Sequence, residues 1–483
     1  MRMRRDWAAL AVAVATVAGS VLVGAGTAAA APVAHRSDFN GDGYEDFVTS
    51  APAATIGGKA GAGYVAVVPG GPNGLVTAQR KVISQATDGV PGDPGTDDNF
   101  GYALATGDFN GDGYDDLAVG APRDRTGSTT RLSDAPGSVT VLYGSPAGLV
   151  KAARAMGVTA GAQTGYAVTA ADMDGNGRPE VVASEYRVAG YGGLGRFTVS
   201  KGGTALTRTA DYATFGVYGL AAGDVDGDGH DDVVAQWASN GLRMFGVFHG
   251  GKLSDASVWW PGASGMGGSA AAVGDLDKDG KAEIVLGRED SPWYAAGGDV
   301  AIWKGRTGGL TDEPQRVVTQ ATAGVPGTAE DGDRFGSSVA LGDLNGDGHL
   351  DLAVGAAGED TGTAADSGSV TLLTGSATGI VTATGGLVLT QNTTGVPGAN
   401  ETHDQFGQGV ALADHTKDGK AELAVSAVGE NNTAAAWPYY GDGAVTILRG
   451  SATGPAATGA QSLTAAAFGV SPAGQPFGWA FAR

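Results

Sequence analysis

A nine-residue pattern of oxygen-bearing side chains occurs seven times in this chain of 483 residues. The first copy, DFNGDGYED, begins at Asp38, and the others begin at Asp108, Asp172, Asp224, Asp275, Asp343 and Asp414. Carboxylate or amide oxygens recur at positions 1, 3, 5 and 9, and Gly at position 6 allows a tight turn because glycine tolerates positive φ. A hard divalent cation takes about six to eight oxygen ligands. The spacing therefore predicts a cation cage in each copy.

Each cage is expected to use the side chains of positions 1, 3, 5 and 9 and the backbone carbonyl of position 7. The predicted ligands are Asp38, Asn40, Asp42, Tyr44, Asp46, Asp108, Asn110, Asp112, Tyr114, Asp116, Asp172, Asp174, Asn176, Arg178, Glu180, Asp224, Asp226, Asp228, His230, Asp232, Asp275, Asp277, Asp279, Lys281, Glu283, Asp343, Asn345, Asp347, His349, Asp351, Asp414, Asp418 and Glu422. Calcium is preferred to magnesium, which favours octahedral sites that keep several waters. The alternative, a metal-free Asp- and Gly-rich turn, is disfavoured by the repetition.

The seven copies are not equivalent, and up to seven calcium ions are expected. The loop from Asp414 has Thr416 at position 3 and two lysines nearby, so it is predicted to be the weakest site or to stay empty. The loop from Asp275 also carries lysines but keeps Asp277 and Asp279, so it is expected to bind calcium.

The flanking sequence places these loops between β-strands. Position 12 is never the Glu of an EF-hand, and the loops are followed by short β-rich runs such as residues 47–49 and 117–119. The copies start 51 to 71 residues apart, and each period reads as four short strands. Periods of this kind indicate a propeller. The sequence thus predicts an all-β, seven-bladed β-propeller over residues 31–483.

The C-terminal residues have a specific role in this predicted fold. Phe477-Gly478 repeats the Phe-Gly element that precedes other metal loops, but no metal loop follows it. The blade begun at Asp38 lacks the corresponding first strand. The C-terminal strand is therefore predicted to complete the N-terminal blade and close the ring, which would remove open sheet edges.

Residues 101–122 carry the elements of a known repeat family almost in full. Phe-Gly, then the nonapeptide, then Gly-Ala-Pro resembles the FG-GAP repeat of integrin α-subunits and related bacterial secreted proteins. The resemblance implies a seven-bladed β-propeller with Ca²⁺ between the first and second strands of blades. The chain lacks the Cys residues, leg domains and membrane span of integrins, so receptor signalling is not carried over.

The N-terminal 30 residues have the pattern of a secretory signal peptide. Arg2, Arg4 and Arg5 precede an apolar stretch at 8–24, and Ala28–Ala30 supply small residues for cleavage. The alternative is an uncleaved anchor, but residues 8–24 are short for a span. A secreted monomer without a transmembrane segment is expected.

The formal charge is −21, and 23 of the 51 acidic residues occupy the ligand positions 1, 3, 5 and 9 of the nonapeptides. The acidity is therefore largely explained by the cages and requires no basic partner. Nucleic acid is not expected as a partner, because it is bound by basic surfaces.

Aromatic residues in the connections between second and third strands suggest a ligand-binding face, since Trp and Tyr are common at binding hot spots. The candidates are Tyr186, Tyr191, Trp237, Trp293, Tyr294, Trp437, Tyr439 and Tyr440. The alternative is that these rings pack between blades.

Three functions remain open at this point. The preferred one is a secreted, calcium-binding, non-catalytic binding or adhesion module for an extracellular protein or glycan. The second is a secreted hydrolase or lyase with its site in the propeller channel, although the six His residues do not cluster and no nucleophile motif is present. The third is a purely structural surface protein.

Overall fold

The computed structural model describes residues 37–125, 134–157, 160–185, 192–199, 206–214, 216–239, 242–251, 258–259, 270–289, 296–382, 386–431, 441–471 and 476–482. Residues Ala34–Arg483 form one compact unit. The predicted signal peptide at 1–30 lies outside the described residues and stays a prediction.

Six antiparallel sheets of four strands make up most of this unit. In chain order their strands are β4 (Leu104–Gly107), β5 (Asp116–Ala121), β6 (Ser138–Tyr143) and β7 (Lys151–Met156); β8 (Thr164–Ala171), β9 (Glu180–Glu185), β10 (Gly192–Val199) and β11 (Leu206–Thr214); β12 (Val217–Gly223), β13 (Asp232–Ser239), β14 (Leu242–Phe248) and β15 (Val258–Trp259); β16 (Ala270–Gly274), β17 (Glu283–Arg288), β18 (Asp299–Trp303) and β21 (Arg316–Val318); β22 (Phe335–Gly342), β23 (Asp351–Ala356), β24 (Ser369–Leu373) and β25 (Leu387–Leu389); and β26 (Phe406–Ala413), β27 (Glu422–Ala427), β28 (Ala444–Arg449) and β29 (Ala456–Thr464).

The remaining elements are smaller. One sheet has three strands, β1 (Phe47–Ala51), β2 (Tyr64–Val68) and β3 (Lys81–Ile83). A two-stranded ribbon consists of β19 (Gly305–Arg306) and β20 (Gly309–Leu310), and 3-10 helices span Thr77–Gln79 and Ala465–Phe468. Among the described residues, no helix has the length and apolar character needed to cross a membrane.

The all-β propeller architecture is confirmed, but the prediction of seven blades is wrong. The described residues form six four-stranded blades, and the sheet β1–β2–β3 has only three strands. The C-terminal residues do not supply its fourth strand. They form one isolated bridge, Thr49 to Phe481, with hydrogen bonds from Gly478 N to Ser50 O and from Ala482 N to Val48 O.

The second strands of the blades are buried on both faces over most of their length, because neighbouring sheets pack against them. β5 (DLAVGA) and β23 (DLAVGA) contain only buried residues, so they read as apolar runs without alternation. One hydrophobic cluster, for example, joins Val48 and Val67 of the three-stranded sheet to Leu117 and Val119 of the next blade. The core is therefore distributed between sheets.

The Phe-Gly elements bring neighbouring sheets close together. Phe335 and Phe406 are buried at the starts of β22 and β26. The glycine that follows Phe406 has a φ of 96°, and a Cβ atom there would lie 2.4 Å from the carbonyl oxygen of Ser369. A side chain at this glycine would separate two blades.

Candidate metal centres

The nonapeptide loops lie where the sequence predicts them. In the six four-stranded blades each loop joins the first strand to the second, as the loop from Asp108 joins β4 to β5. The loop from Asp38 precedes β1 of the three-stranded sheet. Because the strands are antiparallel, the six inter-strand loops emerge at the same end of their blades.

The carboxylate at position 1 organises every loop. In the first copy, Asp38 accepts hydrogen bonds from the backbone amides of Asp42 (3.1 Å) and Gly43 (2.8 Å). The amides of positions 5 and 6 bind position 1 in the same way in the loops from Asp108, Asp172, Asp224, Asp275, Asp343 and Asp414. The shared bonding explains why all seven loops fold alike.

Position 5 turns the chain and position 9 closes the loop. The Asp42 carboxylate accepts the amide of Tyr44 at 3.0 Å, and the other six copies repeat this bond. Asp46 at position 9 accepts the amide of Phe39 at 3.1 Å and that of Gly70, which follows β2, at 3.0 Å. In the next blade Asp116 accepts the amide of Gly144, after the third strand β6, at 2.9 Å. Position 9 thus ties the loop to the end of a neighbouring strand.

The position 9 carboxylates are buried in all seven loops. Burial raises the pKa of Asp46 to about 7 and that of Asp116 to about 8, and repulsion from the carboxylates at positions 1 and 5 adds to the shift. Burial similarly raises the pKa values of Glu283 and Glu422 to about 7. A buried carboxylate that stays ionised needs compensating positive charge. A divalent cation among these oxygens would supply it.

The loop from Asp108 carries oxygens that protein donors do not satisfy. Asn110 at position 3 is 3 % exposed, and its Oδ1 has no hydrogen-bond partner among the described residues. The buried Tyr143 Oη also lacks one, and burial followed by the charge of Asp116 raises the pKa of Tyr143. Buried polar atoms are normally bonded. These two oxygens and the Asp116 carboxylate fit a cation of hard character.

The loop from Asp275 is different, because a lysine reaches into it. Asp275, Asp277 and Asp279 offer oxygens that lie within 4.8 Å of one another. Lys304 Nζ forms ion pairs with Asp277, with Asp279 at 3.0 Å and with Glu283 at 3.8 Å. The ammonium group therefore occupies the position expected for a metal ion. This arrangement argues against the expectation that the loop binds calcium.

In the loop from Asp224 a histidine approaches the oxygens. Asp224, Asp226 and Asp228 form one group of potential ligands, and Asp226, Asp232 and His249 form a second, fully buried group. His249 Nδ1 lies 3.2 Å from Asp232 Oδ1 and 3.6 Å from Asp226 Oδ2. The loop from Asp224 therefore combines carboxylate oxygens with one imidazole nitrogen, that of His249.

The loop from Asp414 closes with a different bond. Thr416 Oγ1 donates to Glu422 Oε1 at 3.1 Å, and the Thr416 amide binds Glu422 Oε2 at 3.1 Å. The carboxylate at position 9 is therefore held by the residue that should provide the position 3 ligand. That this is the weakest site remains a prediction.

Neither Lys304 nor His249 was identified from the sequence. Both directly precede the glycine that follows a third strand, at Gly305 and Gly250. Aligning the ends of the third strands would have shown that this position changes from loop to loop. Where the end of this strand is described, the residues there are Pro69 after β2 and, in the four-stranded blades, Tyr143, His249, Lys304, Thr374 and Arg449.

Trp237 does not lie on an exposed aromatic face, so its prediction as a ligand-binding residue is wrong. This residue lies within β13 and is fully buried, in a cluster with Val217 and Phe248. It packs in the core, which is the alternative considered above. Tyr186, Tyr191, Trp293, Tyr294, Trp437, Tyr439 and Tyr440 lie outside the described residues.

At the opposite ends of the blades, three repeated Gln-x-Thr-x-Gly-Val-Pro-Gly segments contact carboxyl groups that are buried, as Asp124 is, or half-buried, as Glu359 and Glu430 are. Gln391 Nε2 donates to Glu430 Oε2 at 2.7 Å, and Asp404 is 1 % exposed nearby. Burial, and then the charges of Glu430 and Glu401, raise the pKa of Asp404 to about 7. Within the described part of the chain, neither Asp404 nor Glu430 forms an ion pair with Lys or Arg.

The equivalent group in another blade is neutralised. Gln85 Nε2 donates to Asp124 Oδ2 at 3.3 Å, and Arg154 Nη1 binds the same oxygen at 2.9 Å. Arg154 pairs with Thr140 across the sheet. In the last blade Ser462 occupies the same register position, opposite Thr446.

The comparisons with known proteins agree with this architecture. The FG-GAP repeat family matches residues 33–68, 100–142 and 335–373, and an FG-GAP-like repeat matches residues 224–286. Integrin alpha-5 of Xenopus laevis is 29 % identical over 271 residues, which cover 55 % of this chain and 20 % of that protein. Phosphatidylinositol-glycan-specific phospholipase D of Rattus norvegicus is 35 % identical over 159 residues, covering 32 % and 18 %.

The chain thus spans about a fifth of the length of these relatives. Among solved structures, a putative 6-phosphogluconolactonase from Bacteroides uniformis aligns with a TM-score of 0.43 and 12 % identity, over 86 % of this chain and 95 % of that one. A likeness at this level carries no functional argument. The matched repeats and the blades that contain them lead to one statement: the chain contains FG-GAP repeats and has a β-propeller fold.

Proposed function

We propose that this protein is a secreted calcium-binding β-propeller that acts as a non-catalytic binding module for an extracellular protein or glycan. The observation that carries the calcium assignment is the set of buried carboxylates at position 9, together with the unsatisfied Asn110 Oδ1. Calcium accepts such all-oxygen sites. A loop that served only as a turn would not need to bury a carboxylate beside two others.

The binding role is supported by the similarity to integrin alpha-5. Secretion is supported by the signal-like pattern of residues 1–30. The protein is proposed to work as a monomer. Calcium is proposed for the loops from Asp38, Asp108, Asp172 and Asp343, with weaker binding at Asp414. The loops from Asp224 and Asp275 are set apart by His249 and Lys304.

The calcium assignment is tested by elemental analysis of the purified protein and by melting curves with and without chelator. Four or five Ca²⁺ per chain and a large loss of melting temperature in chelator are expected, because ligands that bind the folded state stabilise it. Zero or one Ca²⁺ with an unchanged melting temperature would refute the assignment.

The binding role needs a separate test. The calcium-loaded protein is screened against arrays of glycans and extracellular proteins, and bound candidates are checked for turnover. Saturable binding without product formation supports the binding module. Product formation would favour a hydrolase or lyase, and no binding to any candidate would favour a purely structural protein.

A further inference from the structure

A glycine follows the third strand of a blade, and the residue just before this glycine lies beside the metal loop of that blade. The amide of that glycine binds the position 9 carboxylate, as Gly250 binds Asp232 at 2.9 Å and Gly375 binds Asp351 at 2.7 Å. The preceding side chain is therefore held next to the cage. We call it the rim position. Lys304 shows that a side chain at the rim position can reach the site of the ion.

In the loop from Asp224 the rim position is His249. It is nine-tenths buried, like the two carboxylates that it approaches, Asp226 and Asp232. Its Nδ1 lies 3.2 Å and 3.6 Å from their nearest oxygens. Two ligands that are each about 2.1 Å from one ion lie about 3.0–3.4 Å apart in octahedral or tetrahedral geometry. The imidazole nitrogen therefore lies at roughly the spacing of two ligands of one ion from each carboxylate, and the three ligand atoms lie within 4.8 Å of one another.

The chemistry of this cage differs from that of its neighbours. Calcium takes oxygen ligands, whereas an imidazole nitrogen raises the affinity for first-row transition metals. We infer that the Asp224 loop binds a transition-metal ion of the Zn²⁺ type, with His249 Nδ1, Asp226 and Asp232 as ligands. The inference rests on the proposed role of the loops as cation cages and names the ion class for this one.

His249 has a matched counterpart in the loop from Asp275, whose rim residue is Lys304 and whose positions 3 and 9, Asp277 and Glu283, also carry carboxylates. The test compares wild type with His249→Thr and Lys304→His, all without an affinity tag, because a histidine tag would bind Zn²⁺. Each protein is saturated with Ca²⁺ and titrated with Zn²⁺ by calorimetry. Bound Ca²⁺ and Zn²⁺ are then counted separately, and Co²⁺ spectra report nitrogen ligation.

Wild type is expected to bind one Zn²⁺ per chain in the presence of Ca²⁺. His249→Thr should weaken this binding at least tenfold and gain one Ca²⁺, since its cage then offers only oxygens. Lys304→His should gain a second Zn²⁺, because it adds an imidazole to the carboxylates of Asp277 and Glu283. Equal Zn²⁺ binding in wild type and His249→Thr would overturn the inference, and so would the absence of any gain in Lys304→His.

One further outcome would also overturn it. If wild type binds no Zn²⁺ but His249→Thr gains Ca²⁺, then the imidazole fills the cage as Lys304 does. Failure of the broader calcium proposal would give a different result. No variant would then contain bound Ca²⁺, but wild type would still bind Zn²⁺ more tightly than His249→Thr does.

Discussion

The backbone amide of Asp414 donates a hydrogen bond of 2.9 Å to Oε2 of Glu45, 369 residues earlier in the chain. His415 Nδ1 adds a bond of 2.7 Å to the carbonyl oxygen of Glu45. Glu45 is position 8 of its loop, and position 8 makes the same contact elsewhere: Asp115 binds the amide of Asp38, and Asp231 binds that of Asp172. These bonds link neighbouring loops, and Glu45 links the last loop to the first.

Replacing Glu45 should loosen this closure. Glu45→Ala removes a charge-assisted hydrogen bond, which is worth about 1.5–3 kcal/mol, so the free energy of unfolding in Ca²⁺ should fall by about that amount. Glu45→Gln keeps an oxygen acceptor and serves as the control. Urea unfolding measures both variants. Equal stability of wild type and Glu45→Ala would show that the bond does not hold the ring together.

Removing the Lys304 ammonium should create a calcium site. Lys304→Met leaves Asp277, Asp279 and Glu283 without their cation, so the variant should bind one more Ca²⁺ than wild type. In chelator its folded state should lose about 1–3 kcal/mol, since the ion pair is partly exposed. Elemental analysis and melting curves provide the measurement.

The control for this variant is Lys278→Met, in the same loop. Lys278 Nζ points toward Gly348 of the neighbouring loop, and the described contacts show no ion pair between it and the cage. Its calcium count should match wild type. An unchanged count in Lys304→Met would mean that the loop binds no ion even when its centre is free.

An oxygen ligand restored at position 3 should strengthen calcium binding at the loop from Asp414, which is predicted to be the weakest site. Thr416→Asn adds an amide oxygen and removes the hydroxyl that donates to Glu422. Calcium affinity at this site should rise about tenfold, which corresponds to about 1.4 kcal/mol. Thr416→Val is the control, because it removes the hydroxyl but adds no oxygen. Calorimetry that finds the two variants indistinguishable would count against a cation at this loop.

The carboxyl pair Asp404–Glu430 predicts a pH dependence of stability. The pKa of Asp404 rises from 3.8 to about 7 in the folded protein. The folded state then holds this proton more tightly than the unfolded state does, so stability decreases as pH rises through this window and levels off above it. Asp404→Asn should remove that decrease and stabilise the protein by about 1–2 kcal/mol at pH 8.

A second variant tests the cause of this pH dependence. Ser462→Arg places a guanidinium group at the register position that Arg154 occupies beside Asp124. It should also flatten the pH dependence, because a neighbouring positive charge favours the ionised carboxylate. Unfolding in excess Ca²⁺ is measured from pH 4 to pH 8. Identical slopes for wild type and Asp404→Asn would refute the assignment.

Much of the fold and of the loop geometry was predictable, because local chemistry determines it. The Asp at position 1 and the Gly at position 6 act within nine residues, and the same hydrogen bonds form in every copy. The strands that follow the loops were predictable as well, since burial on both faces leaves a continuous apolar run such as LAV in β5.

The predicted number of blades was wrong because the number of motif copies gives the number of loops, whereas a blade is defined by its paired strands. Whether residues 476–482 pair with β1 as a ladder depends on contacts between distant parts of the chain, and only the Thr49–Phe481 bridge forms. Lys304 and His249 were missed for a similar reason. Their side chains reach the cages only after the third strand has paired with the second.

The closure between Glu45 and Asp414 also has a consequence for biosynthesis. Glu45 of the first sheet cannot form its bond to Asp414 until a further 369 residues have been synthesised. At roughly 5–20 residues per second this synthesis takes roughly 20–75 s. During that time the edge of β1 is open to wrong strands, and contacts of such long range form slowly. Folding of this ring therefore has a late, topologically demanding last step, and the nascent chain is most vulnerable to aggregation before it.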